Sequence, residues 1–493
     1  MPLIEAYTGH PLIDVGLATL TAYAHKRHPR ELTQHDLQSA ADYMARNYVV
    51  NPLRSFLTVA FPNSGFTNPA FFNSPDKQQR YAKNVLYAYT VAESTGDRDP
   101  FLDVPATAQS YDIKGELPPG RAYRQHVPLV TGEGCINFYP YGDPGLPLHG
   151  VTLLAIHALP LGCAKVAGRL LAVHSDHPEL LLYFAKIFLT ANLKNIQTAQ
   201  TAGAKKLPET SPHRARTLLI DHLMDAMREQ RRWGMLQEPP PTLTAYHFTN
   251  SGRGADLSIY PLPLEVAGFL AAVQSPGYAE AWAALVRRGW QITHTKRGKK
   301  APPPTYNRLY EDLFQLPEQA ATFIRRYFLR RPGGRLWDEK DPTQTYDTLR
   351  DAALISWHLT QLFLRKVMLM DELRIQHIQA LGDDLANYIV AQNDRRFFRH
   401  FYMARRYDEV RAALIKASQA QIRRGQPPLI TLERFLAVFE QTGGIPATDW
   451  RLGRDLVLIR MLERLFEQGW LQAHTEELSA AEELTEEEEE ETM

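Results

Sequence analysis

The nearest approach to a metal-ligand set in this chain is Val173-His174-Ser175-Asp176-His177. Imidazole and carboxylate groups so spaced could hold Zn or Mn and activate a water for phosphodiester hydrolysis. A full binuclear run reads H-x-H-x-D-H, and the place of its first histidine is taken by Ala172. Two readings follow for His174, Asp176 and His177: the ligands of a metal-dependent phosphodiesterase or nuclease, or polar groups at a helix C-terminus before Pro178. The doublet His35-Asp36 could suggest phosphohydrolase chemistry, but Thr33-Gln34-His35-Asp36 reads better as a capped helix start. No G-x-x-x-x-G-K-[ST] loop occurs, and no glycine-rich dinucleotide turn follows a convincing strand. The expectation is a protein that catalyses nothing itself and needs no cofactor or metal.

Basic side chains interleaved with rings give a different signal, since guanidinium and ammonium groups neutralise phosphates while aromatic faces stack on unpaired bases. The densest stretch runs from Arg395 and Arg396 through Phe397, Phe398, Arg399, His400, Phe401 and Tyr402 to Arg405, Arg406 and Tyr407. Its cations could meet nucleic acid, or they could solvate a bundle whose core takes the rings. Lys194, Lys205, Lys206 and the loop residues Lys296, Arg297, Lys299 and Lys300 complete the set of expected backbone contacts. A third kind of chemistry lies in Phe61 to Pro75, FPNSGFTNPAFFNSP. Asn63, Asn68 and Asn73, with Ser64, carry donors and acceptors suited to base edges, and Phe66, Phe71 and Phe72 could wedge between base steps. The competing reading makes the asparagines turn formers and the phenylalanines core.

These residues need a scaffold. Leu381, Leu385, Tyr388 and Ile389 form one apolar helical stripe; Leu432, Phe435, Leu436 and Phe439 a second; Leu452, Leu456, Ile459, Leu462 and Phe466 a third. They predict a helical bundle over about 344–475. Upstream, glycines, prolines and a strand-like Tyr246 to Thr249 predict a mixed body over 1–343, so the fold class is α+β and predominantly helical. Gly382-Asp383-Asp384 is expected to end one helix and cap the next. Val151 to His174 is expected to be apolar and helix-like.

At 493 residues and 44% apolar composition, the chain can bury more than one core. Met1 to Tyr23 lacks the pattern of a secretory signal and no unbroken apolar run is long enough to span a bilayer, so a cytoplasmic location is expected. Cys135 and Cys163 are expected to be reduced core thiols. The net charge of zero conceals an asymmetry: ten of the 55 acidic residues lie at or beyond Glu476, leaving 45 against 55 basic ones before it. The segment 476–493, with six consecutive glutamates, is expected to be disordered, and the folded part is basic.

Several short strings, taken in order, resemble the large subunit of the type I-B CRISPR surveillance complex, Cascade. They are Thr8-Gly9-His10-Pro11-Leu12-Ile13-Asp14-Val15-Gly16, Asn63 to Pro69, Asn137-Phe138-Tyr139-Pro140 with Gly145-Leu146-Pro147, Ala158 to Cys163, and Phe248 to Gly252. The similarity covers roughly residues 8 to 260. Many members carry a Cys-x-x-Cys zinc knuckle where this chain has Tyr111-Asp112-Ile113-Lys114-Gly115, so no zinc is expected there. The resemblance implies an antiviral, RNA-guided role: the subunit would read the motif flanking a double-stranded DNA target, with Asn63, Ser64, Phe66, Asn68 and Asn73 as readers, and help open the duplex. It would hold the displaced strand, sit with a crRNA and the backbone and crRNA-end subunits, and recruit a separate helicase-nuclease. A small subunit arising from an internal start at Met368, Met370 or Met403 is also implied. A protein-only scaffold is the remaining alternative.

Overall fold

The computed structural model describes residues 4–91, 93–109, 111–112, 115–130, 145–232, 240–250, 254–291, 306–329, 352–440 and 450–476. It is predominantly helical, with small antiparallel sheets confined to the N-terminal part and to one two-stranded ladder, Trp290–Gln291 with Tyr306–Asn307. The chain forms two compact units, Met1–Leu262 and Pro263–Met493.

The first unit is organised around α1 (Pro11–Tyr23), whose residues from Ile13 to Ala22 are all buried. A helix apolar on every side belongs in the centre of a core. Pro11 at the first position and a His10 ring accepting from the Ile13 amide start it. Helix α2 (Gln34–Asn47) opens with the expected capping box, Thr33 Oγ1 accepting from the Asp36 amide at 3.2 Å and Asp36 Oδ2 from the Thr33 amide at 2.9 Å. Helices α3 (Pro75–Leu86) and α4 (Gly150–Ala158) follow. Glycine is required where α1 crosses α4, because a Cβ on Gly16 would stand 2.1 Å from the Ala155 carbonyl oxygen.

After α4 the expected helical continuation gives way to a hairpin. Strands β1 (Ala164–Val166) and β2 (Arg169–His174) are joined through Ala167 (φ 48) and Gly168 (φ 76), both left-handed, as a two-residue hairpin turn demands. Helix α5 (Pro178–Thr201) and helix α6 (Ala215–Arg232) lead to β3 (Leu243–Thr249), which pairs with β2 and with β4 (Asp256–Leu262) to complete the sheet order β1-β2-β3-β4. Asn192 of α5 donates to the carbonyls of Leu161 and Cys163 at 2.9 and 2.8 Å, fastening the Leu-Pro-Leu-Gly-Cys segment to the helix. Cys163 is a buried free thiol, as expected, and burial pushes its pKa far up; Cys135 lies outside the described residues.

The second unit starts earlier than the expected boundary at 343/344, which itself falls outside the described residues. Helices α7 (Leu264–Ala272) and α8 (Pro276–Gly289) pack with α9 (Trp357–Lys366): Phe269 meets Phe363 edge-on at 5.5 Å and Trp282 at 5.3 Å. The described residues of 264–291 and 306–329 therefore share their core with the C-terminal helices. Beyond α9 come α10 (Glu372–Gln392), α11 (Arg395–Met403), α12 (Tyr407–Arg423), α13 (Leu432–Phe439), α14 (Trp450–Glu467) and α15 (Trp470–Ala473). The described part of the C-terminal region is all helical, as the stripes predict, although Leu432 is 74% exposed and belongs to no core. Gly382-Asp383-Asp384 does not break a helix; it lies inside α10. Gly382 lets α14 approach, since a Cβ there would be 2.7 Å from Arg460 Cβ, and the two aspartates pair with Arg460 (2.7 Å) and Arg434.

A candidate nucleic-acid groove on the helical unit

Helix α11 sorts the arginine and aromatic stretch by face. Phe397, Phe398, Phe401 and Tyr402 are buried, at the i, i+1, i+4, i+5 spacing of one helix side, while Arg395, Arg396, Arg399 and His400 are exposed. Asp394 caps the helix, Oδ1 accepting from the Phe397 amide at 2.9 Å, and its other oxygen accepts from the Tyr388 hydroxyl at 2.9 Å. Burial and this carboxylate push the Tyr388 phenol up to about 12. Packing decides against the rings as a stacking platform: Phe397 lies 5.3 Å from Tyr388 and Phe398 5.1 Å from Trp470, inside the bundle.

Between α11 and α12 lies a groove of about 1040 Å³. It is lined by Arg396, Arg399, His400 and Lys416 and by the small side chains of Ala404, Ala412, Ala413, Ala417 and Ala420. Alanines leave the trough open where longer side chains would fill it. Two carboxylates also line it, and both are already committed: Asp394 as described, and Glu409, whose Oε2 accepts from the amides of Arg405 (2.8 Å) and Arg406 (3.1 Å) at the start of α12. Among the described residues Arg396 and Lys416 have no ion-pair partner. The groove thus carries three cations and an imidazole against two carboxylates held at helix starts, with the phenyl and phenol rings that line it buried, which suits the phosphate backbone of a nucleic acid. Lys416 and the alanines are absent from the sequence-based candidates. Their signal was a set of small residues at i, i+1, i+5 and i+8 on the helix following the arginines.

Other expected backbone contacts are placed elsewhere. Arg406 is bound to Asp408 at 2.8 Å and Arg405 is half-buried. Lys194 on α5 and Lys205 and Lys206 beyond it are exposed in the N-terminal unit. The loop residues Lys296, Arg297, Lys299 and Lys300 lie outside the described residues.

The loop from Phe61 to Pro75 divides between surface and core. Asn63, with φ 62, and Asn73 are exposed; Asn68 caps the single turn Pro69–Phe72, its Oδ1 accepting from the Ala70 amide at 3.0 Å. Ser64 and Phe66 are fully buried, which corrects their expected role as readers. Phe66 packs edge-on against Tyr48 (5.5 Å) and Tyr81 (5.1 Å), where it cannot meet a base step. Phe71 is buried as well, and Phe72 lies half-exposed under the Arg54 guanidinium at 4.2 Å.

His174, Asp176 and His177 do not converge. His174 ends β2 rather than a helix, with its Nε2 at 3.2 Å from Asp14 Oδ2. Asp14, buried, also accepts from the Thr8 and Gly9 amides at 2.6 and 2.9 Å. Asp176 accepts from the Thr242 amide at 2.9 Å, and His177 precedes α5 at its N-cap. Among the described residues no cluster of three or more His, Cys, Asp or Glu side chains could hold a metal. No described helix is long and apolar enough to cross a membrane.

Compared with family models, with curated proteins and with solved structures, the chain finds no match in any of the three.

Proposed function

We propose that this chain is a nucleic-acid-binding, non-catalytic subunit of a larger cytoplasmic assembly, and that its helical unit holds a strand by its phosphates in the groove between α11 and α12. The observation that carries this reading is the groove itself: Arg396, Arg399, His400 and Lys416 beside a row of alanines, with both lining carboxylates used as helix caps. The sequence resemblance supports a more specific assignment, the large subunit of a type I-B RNA-guided surveillance complex. There the groove would hold displaced DNA while exposed asparagines of the 61–75 loop, Asn63 and Asn73, read the flanking duplex and the crRNA supplies the pairing. Reading of the flanking motif, duplex opening and recruitment of a helicase-nuclease belong to that assignment.

The test is the salt dependence of binding. Each phosphate contact on a single strand contributes about −0.7 to the slope of log K against log salt. Arg396→Gln, Arg399→Gln and Lys416→Gln together should flatten the slope by about 2 for a 30-nucleotide single strand. An unchanged slope would remove the groove from the interface. Co-purification of the chain with a crRNA-bearing complex tests the specific assignment.

A further inference from the structure

The chain carries a polyanion of its own. After Glu476 come seventeen residues, nine of them glutamates, six of those consecutive at Glu486 to Glu491. Where this segment leaves the helical unit is fixed by α15. Trp470 packs tilted against Phe398 of α11 at 5.1 Å and donates from Nε1 to Asn393 Oδ1 at 3.2 Å, in the turn between α10 and α11. His474 stacks on Trp470 at 4.4 Å. Asn393 and Phe398 bracket Asp394, Arg396 and Phe397, three residues that line the groove. Trp470 thus packs on the Phe398 side of α11, across the helix from the groove residues Arg396 and His400, and a helix with its side chains is only about 10–12 Å across.

We propose that the glutamate segment 482–491 occupies the α11–α12 groove in the free protein, paired with Arg396 and Lys416, and that nucleic acid must displace it to bind. Reach is ample, since seventeen residues extend to about 56 Å. Charge is complementary: a run of glutamates against Arg396 and Lys416, which pair with no acid among the described residues. Tethering places the segment at roughly millimolar effective concentration, enough for a weak polyanion contact to compete. The consequence is selectivity by strength. Short or weakly held strands are excluded, while a strand held at additional points displaces the tail. The proposal rests on the groove being the nucleic-acid site.

Two measurements on the full chain separate the tail contact from that reading. Carbodiimide treatment should join Lys416 to a glutamate of the 482–491 segment, in a yield independent of protein concentration. Changing the nine glutamates beyond Glu476 to glutamine should tighten binding of a fluorescent 30-nucleotide oligothymidylate at low salt by on the order of tenfold. The gain should shrink as salt rises, because screening weakens the tail's own contact. A Lys416 cross-link with no oligonucleotide bound by either chain would uphold the tail contact and sink the nucleic-acid reading. Equal oligonucleotide binding by both chains with no Lys416 cross-link overturns the tail proposal and leaves the groove reading intact. A yield that climbs with concentration also overturns it, since the tail would then come from a second copy.

Discussion

Lowering the pH from 7 to 5 loads one buried ring more than its surroundings can bear. His157 of α4 is fully buried, stacked on Phe61 at 4.6 Å, with Nδ1 at 2.9 Å from the Leu153 carbonyl. Burial lowers its pKa from 6.5 to about 4, the Leu153 carbonyl opposing only in part. The unfolded chain therefore binds the proton more tightly than the folded one. Stability that is complete above the unfolded pKa of 6.5 is lost as pH falls toward 4. Between pH 7 and pH 5 this one group costs about 2 kcal/mol. His126, also buried, shifts in the same direction, so the contribution must be isolated by difference. His157→Phe keeps a flat ring against Phe61 and removes the titration. The assay is hydrogen exchange of the α4 amides in urea at both pH values, corrected for intrinsic rates. Wild type should lose about 2 kcal/mol more than the variant between the two conditions. Equal losses would show that His157 is not held neutral by burial.

Three further outcomes follow from the same structure. Phe66→Ala should cost about 3–5 kcal/mol in urea unfolding of the N-terminal unit, since it empties a site between Tyr48 and Tyr81; a cost under 1 kcal/mol would return Phe66 to the surface. Asn63→Gly preserves the left-handed backbone at φ 62 while deleting the amide. If Asn63 reads a base edge, the preference for the correct flanking motif shrinks by about 1–3 kcal/mol with stability unchanged, whereas an unchanged preference makes Asn63 a turn former only. Met368 and Met370 lie between α9 and α10, so a product starting there would carry α10 through α15 whole. Replacing both with leucine should remove a short co-purifying C-terminal band; its persistence would exclude these starts.

Local chemistry was legible in the chain wherever it needed only near neighbours. The capping box at Thr33 and Asp36 involves atoms four residues apart at most, and the stripes through Leu381 and Leu456 follow from helical periodicity. The arginines and rings of α11 were likewise evident as one interleaved stretch, but that stretch spreads its cations over more than one helix face and did not say whether the rings faced a ligand or a core. Tertiary packing made that choice, by setting Trp470 and Tyr388 against Phe398 and Phe397. It also kept α10 unbroken through Gly382-Asp383-Asp384, because Arg460 of α14 and Arg434 of α13 supply charges that no local pattern contains. The histidines at 174 and 177 were misplaced for the same reason: beyond the short hairpin with β1, the end of β2 from Ala172 to His174 is paired by β3, some seventy residues later. The groove depends on tertiary structure most of all. Lys416 and four alanines lie on a different helix from Arg396 and Arg399, and only the contact between α11 and α12 makes one electropositive channel of them.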